Sequence, residues 1–161
     1  MSLLLRDATR EDLALVLHFI RALADYENLS HEVKADEAVL EKFLFGEPRR
    51  AEALIAEQDG RPVGFAVWYY SYSTFLGRPS LYVEDVFVEP VARGRGIGRA
   101  IFAHLAARAL AQGCGRMEWS VLDWNAPSIA FYRSIGARPR EGWTLQQLTG
   151  EALSALAAAG G

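Results

Sequence analysis

No stretch of this chain constrains its fold more than residues 81 to 98. Leu81, Tyr82, Val83, Val86, Phe87 and Val88 form an apolar run broken only by the adjacent carboxylates Glu84 and Asp85. A short polar link leads to Arg93-Gly94-Arg95-Gly96-Ile97-Gly98, after which Ile97, Ile101, Leu105 and Ala109 recur at helical spacing. The apolar run reads as a buried central strand, and the glycines read as the turn that opens a helix. A strand running into a helix in this way points to a sheet with helices packed on it.

The rest of the chain fits that frame. Leu3-Leu4-Leu5 reads as a short buried strand. Thr9, with Asp12 three residues on, marks a helix start, and Leu13, Val16, Leu17, Ile20, Leu23 and Ala24 line a helix ending near Tyr26-Glu27-Asn28. Ala38, Val39, Lys42 and Phe43 suggest a second short helix, closed by Gly46 and Pro48. Two apolar runs, Ala53 to Ala56 and Val63 to Tyr70, flank the hairpin signal Asp59-Gly60. Arg116 to Leu122 predicts another strand, and Pro127 fits the first turn of a helix from Asn125 to about Ser134. Trp143 to Leu148 reads as a last strand and Glu151 to Ala159 as an alanine-rich helix. The order β-α-α-β-β-β-α-β-α-β predicts one α/β (mixed α+β) domain over residues 3–150 and a helical tail over 151–161.

Composition narrows the function. With 161 residues, 51% of them hydrophobic, the chain is long enough to bury a core without cross-links. A net charge of −3 argues against a general nucleic-acid binder, which needs a positive field, and suits a cationic small molecule. The single cysteine, Cys114, lies between glycines at a helix–strand turn, so no internal disulfide is expected and a reducing, cytoplasmic setting is. Residues 1–6 lack the layout of an export signal, and no apolar run reaches membrane-spanning length. His18, His31 and His104 have no metal-ligand spacing, so no metal is expected.

Two features carry chemistry. Gly94, Gly96 and Gly98 clear side chains from the start of a helix, where main-chain N–H groups and the helix dipole attract an anion. Arg93, Arg95 and Arg99 add positive charge, making a phosphate cradle one reading and a turn with solvated arginines the other. The dinucleotide fingerprint fits poorly, because Arg99 stands where its last glycine belongs. Glu84 and Asp85 face opposite ways on a regular strand, whereas a bulge brings both to one cleft. A carboxylate buried in such a strand is costly unless it is paired or functional.

The turn Arg93-Gly94-Arg95-Gly96-Ile97-Gly98 resembles the Arg/Gln-x-x-Gly-x-Gly/Ala turn of the GNAT superfamily of N-acetyltransferases. Tyr82 to Val88, Asp123-Trp124-Asn125-Ala126-Pro127-Ser128, Phe131-Tyr132 with Gly136-Ala137, and Glu141-Gly142-Trp143 follow in the order of the diamine acetyltransferases, the spermidine/spermine and thialysine-acetylating enzymes. The resemblance runs from Arg6 to about Leu148 and implies a central mixed, mostly antiparallel sheet flanked by helices on both faces. It implies acetyl-CoA as co-substrate, a small primary amine as acceptor, and a homodimer. By the same resemblance, Arg93, Gly94, Arg95, Gly96, Ile97, Gly98 and Arg99 grip the cofactor diphosphate. Backbone groups of Val86, Phe87 and Val88 meet the pantetheine arm, and Asn125, Ser128 and Tyr132 complete the cofactor site. Glu84 deprotonates the amine and Tyr132 protonates the departing thiolate. Tyr26, Glu27, Glu84, Asp85, Glu141 and Trp143 correspond to amine-contacting positions.

Acetylation of a small amine needs a base, since an alkylammonium titrates near ~10.4. A partly desolvated glutamate is suited to accept that proton. The expected reaction is direct attack of the amine on the thioester; the rivals are acetylation of protein amines and CoA binding without catalysis. One departure bears on substrate. The polyamine-specific enzymes carry an acid in the loop before this strand, near Tyr72-Ser73-Thr74, and this chain has none there. That loop looks more like the thialysine-type relatives, which favour lysine-like amines. Tyr69, Tyr70, Tyr72 and Phe75 form an aromatic stretch that reads either as the wall of a substrate slot or as ordinary packing.

Overall fold

The computed structural model describes residues 2–161, which group into two compact units that divide after Asn125. The first unit contains strands β1 (Leu3–Asp7), β2 (Glu52–Gln58), β3 (Arg61–Ser73), β4 (Arg78–Val88) and β5 (Arg116–Glu118). Its helices are α1 (Leu13–Tyr26), the short α2 (Glu37–Leu40), which continues as a wider turn to Phe45, and α3 (Ile97–Ala111). The five strands form one sheet in the order β1-β2-β3-β4-β5. The first three pairings are antiparallel and β4 with β5 is parallel.

Strand alternation decides which helix covers which face. Ala53, Ile55, Phe65, Val67 and Phe87 share one core with Val16 and Phe19 of α1. Within it Phe19 stacks on Phe65, ring centroids 5.3 Å apart, and lies 6.3 Å from Phe87. Each buried phenylalanine contributes about 1.5–3 kcal/mol. The intervening residues Leu54, Ala66 and Trp68 are buried on the opposite face. There Arg108 of α3 lies over the Trp68 ring at 5.1 Å, so the sheet carries helices on both faces.

The expected start of the first helix is present: Asp12 Oδ2 accepts the Thr9 N–H at 2.7 Å. That carboxylate also accepts Arg6 Nη1 at 2.8 Å, and Arg6 Nε donates to Glu57 at 2.8 Å, tying β1, β2 and the entry to α1 together. At the predicted hairpin, Asp59 and Gly60 have φ of 52° and 79°. The strand predicted over 116–122 ends at Glu118, and an Asn125 N–H to Leu122 carbonyl bond of 2.9 Å turns the chain instead.

The second unit holds α4 (Ala126–Ser134) and α5 (Gly150–Ala159), joined by irregular chain. Gly136, at φ 93°, ends α4, and the Ala137 N–H bonds to the Tyr132 carbonyl at 3.0 Å. The strand predicted at Trp143 to Leu148 does not form: those residues are irregular and exposed. Their apolar alternation has no strand in this unit to pair with, and a lone strand leaves its backbone groups unbonded to any neighbour.

Candidate active site

The glycine turn has the shape of an anion cradle. Gly94 and Gly96 have φ of 77° and 79°, a left-handed backbone that glycine adopts at little cost. A Cβ at either position would meet no atom within 4 Å, so the space before the turn is open. The bond from Ala100 N–H to the Gly96 carbonyl, at 2.9 Å, lies in the first turn of α3. The N–H groups of Ile97, Gly98 and Arg99 come before any helical acceptor and are available to a ligand. Together with the partial positive charge of a helix N-terminus, they fit a diphosphate such as that of acetyl-CoA.

The three arginines of the turn have different surroundings. Arg93 has its guanidinium over the Tyr26 ring at 4.9 Å and the Phe87 ring at 5.4 Å, and its Nε donates to the Val88 carbonyl at 2.8 Å. Its side chain therefore clamps the turn to β4 and to the end of α1. Arg95 donates to Gln58 Oε1 at 3.1 Å, at the end of the β2–β3 hairpin, and Arg99 is exposed.

Beside the turn, β4 offers main chain. It pairs with β5 only over Ser80, Leu81 and Tyr82, so beyond Tyr82 that edge has no strand partner among the described residues. Val86, Phe87 and Val88 lie on this free stretch, which can hydrogen-bond an amide-rich arm as an added strand does.

The carboxylate pair sits on a bulge. Val67 is opposite Asp85 and Trp68 is opposite Val83, which leaves Glu84 without a cross-strand partner. Asp85 therefore shares the α1 face with Val67 and Phe87. Glu84 is exposed, contrary to the expectation of a desolvated glutamate, and Asp85 is the more buried of the two. Burial, followed by the charges of Glu84 and Glu27, pushes the Asp85 carboxyl up to about 7. Glu27, at the C-terminal end of α1, is itself raised by burial.

Tyr69 also faces this region: burial and then the Glu84 charge raise its phenol, and its ring lies 5.1 Å from that of Tyr82. Of the aromatic stretch noted in the sequence, Tyr69 is thus the member beside the acids, whereas Tyr72 and Phe75 are exposed at the far end of the β3–β4 hairpin. Tyr26 donates to Asn125 Oδ1 at 3.2 Å, and Asn125 is buried.

In the second unit, Ser128 and Tyr132 are four residues apart on α4 and share a face of that helix. Tyr132 packs against Phe131, with ring centroids 5.6 Å apart. Glu141 and Trp143 lie in the irregular segment, where Arg140 covers the Trp143 ring at 5.4 Å. No group of His, Cys, Asp and Glu among the described residues has the arrangement of a metal site, and Cys114 is buried with its thiol raised by that burial.

Sequence reasoning missed the Arg93 clamp and the Tyr26–Asn125 bond. Neither leaves a spacing signal, because the partners lie 67 and 99 positions apart in Tyr26, Arg93 and Asn125. Signals for the bulge were present only as two adjacent acids in an apolar strand.

Comparison with known proteins agrees with this fold. Residues 17–137 match the family model described as Acetyltransferase (GNAT) family. A thialysine N-epsilon-acetyltransferase of Sus scrofa is 40% identical over 97% of this chain and 98% of its own. An L-ornithine N5-acetyltransferase of Arabidopsis thaliana is 39% identical over 58% of this chain and 41% of its own. Among solved structures, an integron cassette protein of V. cholerae superposes with a TM-score of 0.80 at 28% identity, covering 98% of both chains.

Proposed function

This chain belongs to the GNAT acetyltransferase family and is an N-acetyltransferase, and we propose that it acetylates the terminal primary amine of a small, lysine-like cation. The observation that carries the substrate class is the cluster of Glu27, Glu84 and Asp85 beside the free edge of β4, since three carboxylates in one place attract an ammonium group. The relatives named for thialysine and ornithine act on amino acids with an amine at the end of the side chain, which suits the same cluster. The absence of an acid at Tyr72-Ser73-Thr74 argues for such short amines over long polyamines.

Acetyl-CoA, when bound, supplies the acetyl group as an activated thioester. The N–H groups at the start of α3 and of the glycine turn hold its diphosphate, and Val86, Phe87 and Val88 align its arm along β4. Main-chain N–H groups of that strand donate to the acetyl carbonyl oxygen as charge builds on it. Asn125 and Ser128 hydrogen-bond the same ligand. The carboxylates of β4 take a proton from the ammonium, freeing the nitrogen pair for direct attack. Tyr132 gives its phenolic proton to the departing sulfur. By resemblance, Tyr26, Glu27, Glu141 and Trp143 are the residues that contact the amine.

We also propose that the chain works as a cytoplasmic homodimer. The exposed Trp143, Leu145, Leu153 and Leu156 are apolar surface of the kind a second copy covers. Sedimentation at micromolar concentration is expected to give twice the monomer mass; a monomer rejects the dimer.

The reaction is tested with acetyl-CoA and a panel of lysine analogues, ornithine, diamines, polyamines and lysine peptides, reading CoA thiol release. Release with the short amino-acid amines is expected. Release with peptides alone places the substrate elsewhere, and no release with any amine rejects catalysis.

A further inference from the structure

We infer that the Asp85 carboxylate, turned towards α1 by the bulge at Glu84, is the group that takes the proton from the incoming ammonium, while the exposed Glu84 steers that cation in. The inference rests on the acetyl-transfer reading and deepens it, because the resemblance assigns the proton to Glu84.

The bulge sets the division of labour. On a regular strand, Glu84 and Asp85 would face opposite sides of the sheet. Here Asp85 is opposite Val67, whose side chain belongs to the α1 core, so Asp85 points to that face. Glu84, with no cross-strand partner, still acts electrostatically on Asp85 and on Tyr69 of the same face. The two acids are thus close enough to interact, Glu84 exposed and Asp85 half-buried on the α1 face.

The surroundings of Asp85 are unlike those of a structural acid. A buried carboxylate is ordinarily paired or hydrogen-bonded. Among the described residues the ion pairs include Arg6 with Asp12 and Glu57, and Arg116 with Glu118, but none includes Asp85. The groups that act on it are acids: Glu84 on its own strand and Glu27 from α1. Arg93, the cation that reaches neighbouring Phe87, is committed to that ring, to Tyr26 and to the Val88 carbonyl. A half-buried acid faced by two more acids has the environment of a proton acceptor.

Its proton affinity suits the task. With the Asp85 carboxyl at about 7, taking a proton from an alkylammonium near 10.4 is uphill by about 10³-fold. For an ordinary aspartate the same transfer is uphill by more than about 10⁶-fold. The amine arrives as the ammonium RNH₃⁺. One N–H bond breaks, its electron pair stays on nitrogen, and an O–H bond forms on Asp85. Nitrogen then bonds to the acetyl carbon as the carbon–sulfur bond breaks, Tyr132 gives its proton to sulfur, and the second proton lost by nitrogen restores that of Tyr132, giving amide and thiol. Asp85 releases its proton to solvent before the next cycle.

The test is the pH dependence of kcat/KM for the amine in the wild type and two variants. In the wild type the acidic limb is expected near the Asp85 value of about 7. Asp85→Asn removes that limb and lowers kcat by about 10²- to 10⁴-fold. Glu84→Gln keeps the limb but moves it to lower pH, because a like charge that raised Asp85 is gone, and it raises KM. A limb abolished in Glu84→Gln, or unchanged in Asp85→Asn, overturns the assignment. Carbon-13 NMR of the aspartate carboxyls in wild-type protein reads the same group without turnover. An Asp85 titration near 7 supports the assignment and one near 4 overturns it, whether or not any amine in the panel is acetylated.

Discussion

Arg93 shows how a residue in a recognisable motif can act through its position rather than its charge. Its guanidinium spans Tyr26 and Phe87 and its Nε donates to the Val88 carbonyl, so one side chain links the glycine turn, β4 and the end of α1. Asp85 shows the converse, a side chain whose importance comes from having no partner. An acid whose folded pKa is raised to about 7 destabilises the folded state increasingly as pH climbs from its unfolded value of 3.8. Asp85→Asn is therefore expected to raise stability at pH 8 by about 1–3 kcal/mol while lowering activity, as denaturant melts against kinetics would show. Asp12 works the other way. Arg6 holds its carboxyl below the ordinary value, so its contribution is present above about pH 4 and is lost as pH falls through the lower folded value. Asp12→Ala is expected to cost about 1–3 kcal/mol at pH 7 and to flatten the acid end of the stability curve. For Tyr132→Phe, turnover is expected to fall about 10²-fold with acetyl-CoA affinity nearly unchanged; unaltered turnover removes the proton-donor role.

Among the elements, the glycine turn and β4 carry the proposed site. Gly96, the left-handed residue before α3, admits other side chains only with backbone strain, although nothing fills the space beside it. Gly96→Val is expected to weaken acetyl-CoA binding at least tenfold in a calorimetric titration, with a smaller loss of stability, because the strained turn no longer aims its N–H groups. The strand–turn–helix at 81 to 111 was legible because hydrophobic period and glycine placement are local properties. The bulge was not, since register depends on the facing strand β3. Nor was the irregular path at Trp143 to Leu148, where apolar alternation suggested a strand that has nothing in its unit to pair with.

For the whole molecule, the order of elements through α4 follows from patterning, and the mixed sheet with helices on both faces is that of the GNAT acetyltransferases. The candidate site was legible in part. Glu84, Asp85 and the turn stood out because acids and glycines interrupt an apolar pattern, but which of the two acids is buried is set only by the folded chain. The central proposal is that the open glycine turn at the head of α3, beside the free edge of β4, is where acetyl-CoA binds. Isothermal titration of the purified protein with acetyl-CoA measures this directly. Saturable uptake of one molecule per chain is the predicted result, and a folded protein that releases no heat of binding at millimolar acetyl-CoA would contradict it.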